Sequence, residues 1–180
     1  TNNKNKNIFS QKNQQMANLI NGAGKKEFSF EVLPPLKGTG TERLFEDIAK
    51  LCELNPAFIN ITTHHSEYIY KEVGDGRFER SRVRRRPGTI AVAAAIQQRF
   101  GVTVQPHVIC SGVTVEDIEY ELLDLQFLGI RDLLLLRGDK AKDDSVFKPT
   151  PGGHEHTTDL IRQVQRFNEG FFADGTPIKN

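Results

Sequence analysis

Five side chains in the 180-residue sequence could do chemistry together: Glu31, Thr62, His107, Arg137 and Asp139. Each sits at or near the C-terminal end of an apolar, strand-like segment. An acid, a hydroxyl, an imidazole, a guanidinium and a second acid at one rim suit proton transfer to a substrate and the holding of an anion. Each also has a plainer reading. Glu31 could be a salt-bridged core acid, His107 a satisfied core histidine, and Arg137 and Asp139 a mutual pair. Four strand ends with a polar group each exceed what a stable core requires, because a buried polar group costs free energy unless it is bonded or used.

The elements that must position these groups are legible as periods. In Glu27–Pro35, EFSFEVLPP, a period of two places Phe28, Phe30 and Val32 on one face and Ser29, Glu31 and Leu33 on the other. Pro34-Pro35 ends that strand, since proline cannot donate to a ladder. Thr39 and Glu42 then have capping-box spacing, and Leu44, Phe45, Ile48, Leu51 and Cys52 form one helical face that stops at Asn55-Pro56. Ala57–Thr63 is a second strand. A long polar, glycine-containing loop is expected from His64 to Gly88. Thr89–Phe100 is a helix capped by Gly101, and Val102–Cys110 a third strand with Thr103, Gln105 and His107 on one face. Thr114–Gly129 is a helix with an acidic first turn and Ile118, Leu122 and Leu125 buried. Asp132–Asp139 is a fourth strand, apolar on both faces as a fully buried parallel strand should be. A second long loop follows, in which His154 and His156 are expected to be flexible. Thr157–Asn168 is the last helix, with Leu160, Ile161, Val164 and Phe167 buried, and the tail holds a turn and no further strand.

Strand–helix alternation four times over implies a parallel sheet with right-handed crossovers. A flavodoxin-like doubly wound domain and a (β/α)8 barrel cut at its midpoint both fit. The barrel is favoured by strands with one apolar and one mixed face, by long loops after strands, and by the absence of a glycine-rich phosphate loop after the first strand. The fold class expected is therefore α/β, of the (β/α)8 TIM-barrel family, with only the first four βα units present. Residues 1–26 form a polar N-terminal extension whose Phe9–Ile20 could support one short amphipathic helix, and residues 27–180 form the half-barrel. The opening on Thr1 suggests a processed or excised piece.

A hydrophobic fraction of 37% and a net charge of +1 indicate a soluble protein without chain-wide attraction to nucleic acid or anionic membrane. No apolar run approaches a membrane span. Cys52 and Cys110 lie far apart, outside any CxxC spacing, which favours reduced thiols and a cytoplasmic location. None of the five histidines has HExxH spacing, so no metal site is expected. The basic run Arg77–Arg86 is interrupted by Glu79 and reads as a solvated surface or a local anion contact.

Four blocks, SFEVLPP (Ser29–Pro35), INITTHH (Ile59–His65), PHVICSG (Pro106–Gly112) and LLLLRGD (Leu133–Asp139), resemble the methylenetetrahydrofolate reductase family in its order and spacing. The resemblance implies FAD as cofactor, NADH or NADPH as electron donor, and methylenetetrahydrofolate as the substrate reduced to methyltetrahydrofolate. Glu31 matches the family's general acid, a carboxyl kept protonated near neutral pH by an apolar strand end. Asp139 matches the acid at the flavin–folate junction. Thr62, His107, Leu136, Arg137, Gly138 and Asp139 match FAD-contacting positions, with Arg137 suited to the pyrophosphate. His156 and Thr157, where bacterial members often carry Tyr-Ala, carry over as FAD contacts. Free edges at the first and fourth strands would invite pairing with a second copy, a homo-oligomer. Alternative readings are a flavin-binding or self-associating half-barrel without folate reduction, a metal-dependent hydrolase, and a flavoenzyme for another one-carbon substrate.

Overall fold

A computed structural model describes residues 27–64, 67–140 and 144–179. The helix expected over Phe9–Ile20 lies outside these residues. In chain order the elements are β1 (Phe30–Val32), α1 (Glu42–Cys52), β2 (Ile59–Ile61), β3 (Glu67–Gly74), β4 (Arg77–Val83), α2 (Thr89–Phe100), β5 (Val104–Ile109), α3 (Val115–Phe127), β6 (Leu134–Leu136) and α4 (Thr157–Asn168).

Four strands form one parallel sheet in the order β1-β2-β5-β6. Each new strand adds beside the previous strand of this sheet, with no switch point of the kind a doubly wound sheet has. The alternation explains why one face carries the core. Ile59, Ile61, Val104 and Val108 are at most 1% exposed and pack with Ile48 of α1, Val92, Ala93 and Ile96 of α2, Ile118, Leu122 and Leu125 of α3, and Leu160 of α4. Each of the Ile, Leu and Val side chains contributes about 1.5–3 kcal/mol of burial, so this face fixes the sheet. The opposite face, with Glu31, Asn60, Gln105 and His107, is left for a site.

Helix ends follow local chemistry in three places. Gly101 and Gly129 take left-handed φ of 64° and 68° after α2 and α3. Thr114 caps α3 in a capping box with Asp117. The capping box expected from Thr39 and Glu42 does not form. The N-cap of α1 is Thr41, without a side-chain cap bond, and the Thr39 hydroxyl donates to the Leu36 carbonyl at 2.6 Å. That turn satisfies Thr39 locally before the helix begins.

Three further expectations are corrected. The stretch between His64 and Gly88 is not all loop, because β3 and β4 pair as an antiparallel ribbon from Glu67↔Val83 to Gly74↔Arg77. Its turn is Gly74-Asp75-Gly76, all three at positive φ, and its alternating charged and apolar residues leave Ile69, Tyr70, Val73 and Phe78 40–64% exposed. Strand β6 is half-buried along its length rather than fully buried, since it is the last strand of the sheet and pairs only with β5 among the described residues. Ile161 is 39% exposed, because the core stripe of α4 runs through Leu160, Gln163, Val164 and Phe167.

Candidate functional site

The C-terminal ends of the four parallel strands open onto one cleft of about 930 Å3. All nine residues singled out in the sequence line it: Glu31, Thr62, His107, Leu136, Arg137, Gly138, Asp139, His156 and Thr157. Val32, Leu33, Thr63, His64 and Ile109 complete the wall.

Glu31 and His107 face each other across the floor. The His107 Nε2 lies 3.8 Å from a Glu31 carboxylate oxygen, longer than a hydrogen bond. The imidazole is buried, with 7% side-chain exposure, while the Glu31 side chain is 61% exposed. The apolar enclosure expected for Glu31 is therefore not built by the described residues, because β1 is an edge strand with β2 alone beside it. Burial lowers the His107 pKa, an effect the nearby Glu31 charge partly offsets. The ring is thus favoured in its neutral form. Its Nε2 has no hydrogen-bond partner, and neither has the buried Asn60 Oδ1. Asn60 stands between Glu31 and Gln105 in register on the same face of the sheet.

Arg137 and Asp139 do not pair with each other among the described residues. The Arg137 guanidinium lies 4.8 Å from the centroid of the Phe147 ring, a cation–π contact that steadies it at the cleft. Beside it His156 is the N-cap of α4 and makes no side-chain cap bond. A helix N-terminus presents N–H donors and the positive end of a dipole, so Arg137 and this terminus together suit an anion. The stretch just before α4, expected to be flexible, is tied to that helix: His154 Nε2 is 2.7 Å from Gln163 Oε1, and Gln163 donates to the Val115 carbonyl at 2.8 Å.

Gly138 is required by space as well as by its φ of 80°. A Cβ there would meet the Ser111 Cβ at 2.8 Å and the Ile109 Cβ at 3.3 Å. The Ser111 hydroxyl donates to the Asp139 carbonyl at 2.7 Å, which fixes the turn that presents Asp139. Cys110 Sγ lies 3.6 Å from the Leu136 carbonyl and 3.8 Å from that of His156, joining β6 to the start of α4. Burial is the largest cause that raises the Cys110 pKa, and it raises that of Cys52 too, so neither thiol is set up as a nucleophile.

Several supporting residues were not legible as such. Thr63 donates to the His107 carbonyl and sits 2.7 Å from Thr89 Oγ1, which donates to the Thr62 carbonyl at 3.2 Å. Arg86 donates to the Pro34 carbonyl, and Lys37 N–H donates to the Arg85 carbonyl at 2.7 Å, so the ribbon's far foot is anchored beside the end of β1. The Thr-Thr pair and the Pro-Pro stop were visible signals, but their partners lie tens of residues away. Among the described residues no group of three or more His, Cys, Asp or Glu is placed to hold a metal ion.

A family model described as methylenetetrahydrofolate reductase matches residues 15–175. Methylenetetrahydrofolate reductase (NADH) 1 of Zea mays is 28% identical over 152 residues, which is 84% of this chain and 23% of that protein. The 5,10-methylenetetrahydrofolate reductase of Pectobacterium carotovorum is 30% identical over 127 residues, 71% of this chain and 36% of that protein. The Escherichia coli protein of the same name is 28% identical over 130 residues, 72% of this chain and 38% of its own length. The chain thus spans from about a quarter to two fifths of the relatives it matches.

Proposed function

Because the chain belongs to the methylenetetrahydrofolate reductase family, we propose that it supplies part of a flavin-dependent catalytic unit that reduces methylenetetrahydrofolate to methyltetrahydrofolate. The observation that carries this reading is the convergence of all nine family-matched residues on one cleft at the strand ends. The consecutive parallel order, with all four helices contributing to one core face, supports residues 27–180 as the first four βα units of a (β/α)8 barrel, preceded by a polar extension over residues 1–26.

The residues present fit FAD. Arg137 and the uncapped start of α4 at His156-Thr157 would hold the diphosphate. Thr62, His107, Leu136 and Gly138 would lie along the flavin. When bound, FAD supplies the two-electron store between NADH or NADPH and the folate. Glu31 would give a proton to a nitrogen of the substrate's five-membered ring, which promotes its opening to an iminium. Asp139, held by Ser111, would orient the pterin at the junction of the two ligands. The edges of β1 and β6, each paired on one side only among the described residues, are where further barrel strands or the second copy of a homo-oligomer would pair. No helix of the described residues is long and apolar enough to cross a membrane, and the two separated thiols support a cytoplasmic location.

The test is the visible spectrum of the purified chain with its FAD stoichiometry, repeated for Arg137→Ala. Near-stoichiometric FAD, with affinity at least about tenfold weaker in the variant, is expected for the loss of one charge-assisted contact. A chain that folds and takes up no FAD, or a variant that binds it unchanged, would sink the reading.

A further inference from the structure

We propose that Asn60 and His107 form an acceptor and a donor that receive the Glu31 carboxyl in its protonated form, which makes Asn60 a positioning residue for this acid. The inference rests on the proposed role of Glu31 and names what sets its proton in place. Two buried polar atoms in this part of the sheet lack a hydrogen-bond partner, Asn60 Oδ1 and His107 Nε2. Such atoms are costly and call for an occupant. The Glu31 and Asn60 Cα atoms are direct partners across β1 and β2. Neighbouring strands lie about 4.8 Å apart, so their side chains stand side by side on the cleft face. His107 Nε2 lies 3.8 Å from Glu31 Oε2 on the other side. The Glu31 side chain is 61% exposed, and an inward turn would bring its carboxyl to both atoms.

The donor count selects the species that fits. The amide oxygen only accepts, and a neutral imidazole carrying its proton on Nε2 only donates there. A carboxylate can satisfy the histidine but has no hydrogen for the amide. A protonated carboxyl has one O–H for Asn60 Oδ1 and one oxygen for the His107 N–H, and so satisfies both. Burial, which favours neutral His107, avoids a positive charge that would favour the carboxylate, and the proposal places the ring's one proton on Nε2. The titratable and charged groups that share the cleft are His64, His107, Arg137, Asp139 and His156. Substitution at Asn60 leaves all of them in place.

The experiment is a carbon-13 NMR titration of the Glu31 carboxyl in the purified chain, its signal assigned by loss in Glu31→Gln. Asn60→Val keeps a strand-forming residue and removes the acceptor; Asn60→Ser, shortened out of reach, serves if the first variant does not fold. Each is expected to move the titration midpoint down by about 0.5–1 pH unit, the size of one ordinary hydrogen bond. An unmoved midpoint overturns the proposal. An upward shift overturns it too, because it would mean that the amide is turned over with its NH2 towards a carboxylate. This readout needs neither flavin nor folate, so it can fail while the proposed function stands, and the FAD test can fail while this result holds.

Discussion

Glu121 of α3 offers a test of the electrostatics outside the cleft. Burial, with the like charges of Asp117 and Asp124 beside it, pushes its carboxyl from an ordinary 4.5 up to about 7, against a partial opposing pull from Arg84. A carboxyl raised on folding binds more protons in the folded than in the unfolded chain between these two values. Stability therefore falls as pH rises from about 4.5 to about 7, and the full penalty applies above that. The gap corresponds to about 3 kcal/mol at 1.36 kcal/mol per pH unit. Glu121→Gln removes the charge while keeping the shape, and the amide's own burial takes back part of the gain. The variant is expected to be about 1–3 kcal/mol more stable than the parent at pH 8 and nearly equal to it at pH 4. Urea unfolding followed by circular dichroism at pH 4, 5, 6, 7 and 8 (roughly unit steps across the window) measures the difference directly. Groups that titrate alike in both proteins cancel from it. A difference that does not change with pH, or a variant less stable at pH 8, refutes the reasoning.

Two other substitutions test how the site's frame is built. Gly138→Ala combines a left-handed φ with a Cβ placed 2.8 Å from that of Ser111, and should cost about 2–4 kcal/mol of unfolding free energy; a loss under about 0.5 kcal/mol would show that the turn can move aside. Thr114→Ala removes the hydroxyl that accepts from the Asp117 N–H at 3.1 Å and should cost about 1–2 kcal/mol, read as a lower denaturation midpoint. An unchanged midpoint would mean that water or Asp117 alone caps α3.

The sequence by itself determined the local elements and the chemistry-bearing positions. The spacing of apolar residues gave α2 and α4 their full extents, Thr89–Phe100 and Thr157–Asn168, because helical periodicity and glycine stops act within a few residues. It also marked Glu31, Thr62, His107, Arg137 and Asp139, since a polar group at the end of an apolar run stands out wherever the strand goes. The ribbon of β3 and β4 escaped because its strands are polar and arginine-rich, although Gly74-Asp75-Gly76 carried a hairpin signal. Only the tertiary structure decided the order β1-β2-β5-β6, the half-exposed edge at β6 and the open setting of Glu31. It alone set Asn60 beside Glu31 and left its amide oxygen without a partner. The physical reason is that strand order and register are fixed by side chains buried between segments far apart in the chain. One face of each strand specifies that it must be covered, while its neighbours are chosen by the packing of the whole core.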